Sequence, residues 1–273
     1  MKNLKEYIKE GLFDDIDKLE GKSGLDNIKD DLKQEIIDWM NKNVSRRLIK
    51  DKLKFNWGTT PITIDYKGDI NIKANAYSLT NGLFQWGTIG GSFVCSYCDL
   101  LTSLEGSPKK VGDWFDCSNC KSLKSLKGAP KVIGKEFDCK NCDSLESLEG
   151  APGKIDGSFY CSSCASLKTL EGAPEKVGGY FDCSHCDSLK SLKSAPKEVG
   201  GGFDCSKCES LESLEGAPKK VDDWFDCSNC KSLKSLEGSP EKVGGNFYCK
   251  ECGVNFSESD IKTICDVNEL IIV

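Results

Sequence analysis

A solenoid of short parallel strands, α/β in class because helices close its two ends, is the fold this sequence predicts, on three observations. From Ile89 to Cys252 one phrase recurs every 22 residues, most plainly as the run from Val111 to Leu126, VGDWFDCSNCKSLKSL. A strict period of this length means one structural unit per repeat, stacked on its neighbours. Within the phrase, Val111, Phe115, Cys117, Cys120, Leu123 and Leu126 mark positions that stay apolar or cysteine through Leu236. Finally, the repeat is flanked by segments of different composition, residues 1–58 and 257–273, which suit the caps that an open-ended stack needs.

Within one unit, the step of two between Phe115 and Cys117 puts both side chains on one face of a strand of about four residues. Trp114, Asp116 and Ser118 then face the other way. Gly128 and Pro130 stop the run and turn the chain. Each unit is thus expected to be a coil: one strand, a return arc and a corner.

That rhythm resembles the leucine-rich repeat family, whose core runs Leu-x-x-Leu-x-Leu-x-x-Asn/Cys-x-Leu. Phe115 and Cys117 stand at the two strand leucines, and Cys120 stands at the Asn/Cys position. An earlier segment repeats the pattern in the other spelling: Ile70, Ile72 and Asn75 have the spacing of Phe93, Cys95 and Cys98. The resemblance covers Thr59 to Phe256 and implies a right-handed coil and a noncatalytic, protein-binding scaffold. Val111 lies four positions before Phe115, not three, and Leu123 follows Cys120 by three, so the corners differ from the family's. A looser parallel β-helix is the alternative architecture.

The eight Cys-x-x-Cys pairs are Cys95/Cys98, Cys117/Cys120, Cys139/Cys142, Cys161/Cys164, Cys183/Cys186, Cys205/Cys208, Cys227/Cys230 and Cys249/Cys252. Such pairs ordinarily signal zinc or redox chemistry. Here each cysteine has another task, the first at an inward strand position and the second at the inward turn position that Asn75 fills one unit earlier. Free cysteine packs as a small hydrophobe, and a metal needed in every coil would be poorly served by Asn75. The expectation is a buried thiol ladder without metal or cofactor, with zinc or iron–sulfur sites and disulfides as the alternatives. The N-terminal run is charged throughout and shows no secretory signal or membrane span, which points to a reducing, cytoplasmic setting and free, inert thiols. Cys265 belongs to the C-terminal segment.

Taken in order, Leu4, Tyr7, Ile8 and Leu12 lie on one helical face. Gly21, Ser23 and Gly24 interrupt the pattern. From Leu25 to about Leu53 it resumes through Ile28, Leu32, Ile36, Ile37, Trp39 and Met40, with Val44, Leu48 and Ile49 beyond. Residues 1–58 therefore read as a helical cap over the first coil. Met1 to Glu10, MKNLKEYIKE, is similar to the N-terminal capsid-targeting peptides of large tailed phages, and Ile8-Lys9-Glu10-Gly11 is similar to the sites that their prohead proteases cut. That likeness implies a phage-encoded protein packaged in a virion; an ordinary amphipathic capping helix is the competing reading. Thr59 to Tyr66 predicts the first strand, Gly68 to Asn75 the first coil and Asn81-Gly82 a turn. Trp86 is expected to cover the core. After Cys252 the period fails, and Ser257 with Asp260 forms a capping box for a short closing helix before an apolar tail, Ile271-Ile272-Val273.

With the core assigned, the outward strand positions are the candidates for function. Trp114, Asp116, Asp138, Tyr160, Tyr180, Asp182, Asp204, Trp224 and Asp226 line up from coil to coil as an acidic strip with aromatic side chains beside it. Exposed Trp and Tyr suit protein interfaces, and rows of like charge favour a partner of basic or mixed charge; solubility alone is the competing account of the aspartates. The formal net charge of −6 and the mixed Lys and Glu of the return arcs disfavour nucleic acid. A single histidine, His185, and periodic acids supply no catalytic constellation. The readings are therefore a protein-binding scaffold, a purely structural solenoid or virion-internal component, and a metal-binding protein. Oligomeric state is not encoded in these patterns.

Overall fold

The computed structural model describes residues 22–45, 52–59, 61–74 and 76–273. Expectations placed on residues 1–12, on Gly21, on Leu48 and Ile49 and on Asn75 lie outside the described residues.

Each repeat makes two short parallel strands where one was expected. Around Cys117 they are Lys110–Val111 and Phe115–Asp116, separated by the corner Gly112-Asp113-Trp114. Both pair in register with their equivalents in the adjoining repeats, Phe115 with Phe93 and Phe137, Val111 with Ile89 and Ile133. The second strand escaped the sequence reading because a single inward residue, Val111, marks it, and alternation cannot be read from one position. The Phe-bearing strands form a ten-stranded parallel ladder from Ile70–Asn71 to Ile271–Ile272. The Val-bearing strands form a five-stranded sheet ending at Val132–Ile133 and a six-stranded one from Lys154–Ile155 to Asp266–Val267. The protein is thus a parallel β-solenoid of about ten turns. Among the described residues, helix occurs only at the ends, as α1 (Lys22–Asn43) and α2 (Glu258–Lys262), and no repeat contains one. The α/β character expected of the whole is confined to those ends, and neither helix is long and apolar enough to cross a membrane.

The inward positions are those that the repeat singled out: Phe115, Cys117, Cys120, Leu123 and Leu126 are fully buried, as are their equivalents through Leu214 apart from Leu101, which is 1% exposed. From Phe93 to Phe247 the ring centroids follow one another at 5.0–5.8 Å, mostly stacked. That distance is set by the spacing of adjacent strands, and each such contact adds about 0.5–1.5 kcal/mol beyond burial. The return arc closes at a glycine in the left-handed region: Gly128 has φ +92°, and a Cβ there would sit 2.6 Å from the Leu104 carbonyl carbon. In one unit Ser194 occupies this position with φ 69°.

Both ends are closed more by pairing than by helix. Leu32, Ile36 and Met40 of α1 are buried, one turn apart, and join the core. Where α1 ends, Val44 bridges antiparallel to Ile72 and Ser45 N donates to Asn71 O at 2.7 Å, covering the first edge of the Phe-bearing ladder. Strand β1 (Leu53–Asn56), assigned from sequence to the helical cap, runs antiparallel to Thr63–Tyr66 and covers the other sheet. Trp86 is fully buried, donates Nε1–H to Leu79 O at 3.1 Å and leads through Phe84 and Phe93 into the ring stack. At the far end the Ser257–Asp260 capping box forms as expected. The residues after α2 make a further turn: Asp266–Val267 pairs with Lys242–Val243 and Ile271–Ile272 with Phe247–Tyr248.

Candidate functional site

Every Cys-x-x-Cys segment is a tight turn, and in five of the eight an outward aspartate before it helps to build that turn. Oδ1 of Asp116, Asp138, Asp182, Asp204 and Asp226 accepts a hydrogen bond from the backbone N–H two residues on, at 2.8–3.0 Å. The residue before the second cysteine then adopts φ of 53–62°, at Tyr97, Asn119, Asn141, Ser163, His185, Lys207, Asn229 and Glu251. Asparagine, found at three of these, tolerates that region best after glycine. His185 is an exposed member of this set.

The turn explains the second cysteine. Where a parallel ladder continues, Ser184 N–H would be the next donor to Cys161 O; it donates instead to Asp182 Oδ1, and Cys186 Sγ–H donates to Cys161 O at 3.3 Å. From Cys120 to Cys252 each second thiol sits 3.2–3.3 Å from the carbonyl oxygen of a first cysteine in the preceding turn, while Cys98 reaches Lys73 O. Burial raises the thiols of Cys95, Cys117, Cys139, Cys161, Cys183 and Cys205 well above the ordinary cysteine range, and those of Cys164 and Cys230 to about 12. Thiols held protonated in this way are poor nucleophiles.

On the outward face the candidate residues separate into groups. Asp116 adjoins Asp138, and Asp182 adjoins Asp204 and then Asp226, with Tyr160 interrupting the acidic row between them. All five carboxylates are half-buried. Burial, ahead of the neighbouring carboxylates, raises Asp138 and Asp204 above the usual carboxylate range. Lys140 Nζ lies 3.1 Å from Asp138 Oδ2 and 5.0 Å above the Tyr160 ring. Tyr180 and Trp224 come together although 44 positions apart, with centroids 6.0 Å apart and ring planes at 28°. Gly202, in the turn between them, makes this possible: a Cβ there would lie 2.6 Å from Trp224 Cδ2. Trp114 stands apart, three turns before Tyr180, and is half exposed. The column of residues preceding each Phe reads Tyr180, Gly202, Trp224, and a gap flanked by two aromatics was the signal that could have shown the pairing.

The metal-free ladder reading meets one local difference. Among the described residues, one group of three or more metal-donor side chains converges, Cys227, Cys249 and Cys252, with all sulfur atoms within 4.8 Å of one another. Comparison of the chain with protein-family models, curated proteins and solved structures returned no match.

Proposed function

We propose that this chain is a noncatalytic protein-binding scaffold of leucine-rich-repeat type, presenting Trp114, Asp116, Asp138, Tyr160, Tyr180, Asp182, Asp204, Trp224 and Asp226 to a protein of basic or mixed charge. The observation that carries this reading is the Tyr180–Trp224 pair laid over Gly202, with 43% of Tyr180 left exposed. An aromatic patch held on paired backbone loses little freedom on binding and supplies the side chains that most often dominate interface energetics. The thiol-to-carbonyl bonds at the Asn/Cys position support the leucine-rich-repeat comparison, since a donor side chain there serves the neighbouring turn. One observation favours a second reading, a purely structural solenoid: the aspartates are occupied in their own turns. Cytoplasmic residence, or packaging in a phage virion as the resemblance of Met1 to Gly11 implies, belongs to the same proposal.

The test compares proteins recovered from the source cell on wild-type chain, on Trp114→Ala/Trp224→Ala and on a control altered at Lys121 and Lys231. A specific partner should bind the control as tightly as wild type and the tryptophan variant less tightly by more than about 1 kcal/mol per residue. Equal affinity for all three removes the strip from consideration and leaves the structural reading.

A further inference from the structure

The last Cys-x-x-Cys turn repeats the thiol-to-carbonyl bond, with Cys252 Sγ 3.3 Å from Cys227 O, but its sulfurs are arranged differently from those before it. Cys252 Sγ also lies 3.5 Å from Cys249 Sγ, and Cys227 Sγ completes a triangle whose sides are all under 4.8 Å. Metal–thiolate bonds of about 2.3 Å place the sulfurs of a trigonal or tetrahedral site about 3.8–4.0 Å apart, so rotations about the Cα–Cβ bonds suffice to close this triangle on an ion.

The departure from the repeat opens a route to the cluster. In the preceding unit Leu233, three residues after Cys230, is fully buried. Three residues after Cys252 stands Asn255, exposed, and Gly253 and Val254 beside it are exposed too. Cys252 is accordingly half-buried, whereas every second cysteine before it is buried.

We propose that Cys227, Cys249 and Cys252 form a three-thiolate site for one soft, thiophilic d10 cation, zinc(II) or copper(I). Sulfur-only donor sets select such ions over magnesium or calcium. Copper(I) accepts three thiolates in a plane, and zinc(II) adds a water to make four. On binding, each thiol still protonated releases its proton to solvent, and no electron moves. Cys252, the half-buried member of the three, is the sulfur that an incoming ion meets first. The two buried thiols follow once the cation offsets the cost of their charge. The other turns lack this arrangement: each second thiol there is buried against a carbonyl, and no further group of three donors meets among the described residues.

The test uses the full chain, reduced and stripped with chelator, titrated separately with zinc(II) and with copper(I) under reductant. Native mass spectrometry should show one equivalent of at least one of these ions. Cadmium(II), as a spectroscopic substitute, should give ultraviolet sulfur-to-metal charge transfer of three-thiolate amplitude. Cys252→Ala, at a half-buried position where folding is checked by circular dichroism, should weaken binding at least tenfold, and Cys249→Ala likewise. Cys98→Ala, at the opposite end, should leave it unchanged. Uptake of neither ion, or uptake that Cys252→Ala does not alter in a folded chain, overturns the proposal. So does multiple loading that Cys98→Ala reduces equally, since that would distribute metal along the ladders.

Discussion

Replace Cys161 and Cys186, one at a time, by serine and by alanine, and the two positions should respond in opposite order. Cys161 Sγ is fully buried and makes no hydrogen bond, unlike the first cysteines Cys139, Cys205 and Cys227, whose Sγ–H groups donate to a carbonyl of the following turn at 3.3–3.4 Å. Alanine there removes one sulfur, a loss comparable to a methylene plus a small cavity, about 1–2 kcal/mol. Serine loses the same volume and adds a hydroxyl without a partner, which places it a further 1–3 kcal/mol or so lower. Cys186 is equally buried but donates to Cys161 O, whose ladder donor, Ser184 N–H, is engaged with Asp182. Alanine at 186 strands that carbonyl, whereas serine keeps a donor within a small shift of it, so alanine should be the less stable by about 1 kcal/mol. Equilibrium urea unfolding of the five proteins, followed by far-ultraviolet circular dichroism and compared at constant m, reads the order directly. If serine at 161 is as stable as alanine, or alanine at 186 as stable as serine, the division of labour between Cys161 and Cys186 is wrong.

Ser194→Gly should raise stability by about 1 kcal/mol, because φ 69° costs a residue with a Cβ and glycine fills this position in most other units; an unchanged or lower melting temperature would count against it. Asp204→Asn keeps an Oδ1 acceptor for Ser206 N–H while removing a charge that burial disfavours. Since the folded pKa lies above the unfolded value, the aspartate's contribution is full below the ordinary carboxylate range and is lost as pH rises through the folded value. The asparagine variant should therefore be more stable than wild type at pH 7, with the gain shrinking as pH is lowered toward 4; a gain independent of pH contradicts the assignment. In native, reduced, metal-free protein, iodoacetamide should modify Cys252 first, located by peptide mass mapping, and labelling spread evenly over the seventeen cysteines would contradict the buried ladder. If the first ten residues are a capsid-targeting peptide, coexpression with the matching prohead protease should shorten the chain at Glu10, and an unchanged intact mass would favour the plain helix.

The stack was legible because its evidence is redundant: Phe115 alone would mean little, but the same phenylalanine every 22 residues leaves one arrangement that buries them all. Trp86 and the Ser257–Asp260 cap were readable for a local reason, the first from its approach to the repeat and the second from its spacing. What stayed hidden depended on backbone geometry. Leu53–Asn56 looks like the end of a helical segment until Thr63–Tyr66 is there to pair with it. The aspartates read as surface charge because an acceptor for an amide two residues on has the same sequence appearance as a solvated carboxylate. Even so, Asp followed two places later by Ser or Lys, then by a residue that is often Asn, is a turn signature, and it stood beside every aspartate of the row.

A periodic stack forces each side chain to meet its own kind, and the outcome depends on the residue. Phenylalanine gains from that meeting, and thiols are indifferent to it. Carboxylates lose, which is why this row engages each Oδ1 locally and interrupts the line at Tyr160. Only at an end can a repeated residue leave its assigned task, because one neighbour is of a different kind. The register that sets Phe247 beside Ile271 carries Val273 opposite Cys249, so the thiol ladder has no following cysteine there. The leucine that shields each earlier second thiol has become Asn255 as well. The same cysteines that fill the core for eight turns thus meet, at the last one, the conditions of a ligand set: convergence, partial exposure and no further thiol to stack on. If this reasoning holds, restoring the repeat with Asn255→Leu should bury Cys252 and slow both its alkylation and its metal uptake without removing a single sulfur. Unchanged rates in that variant would mean that access is governed elsewhere.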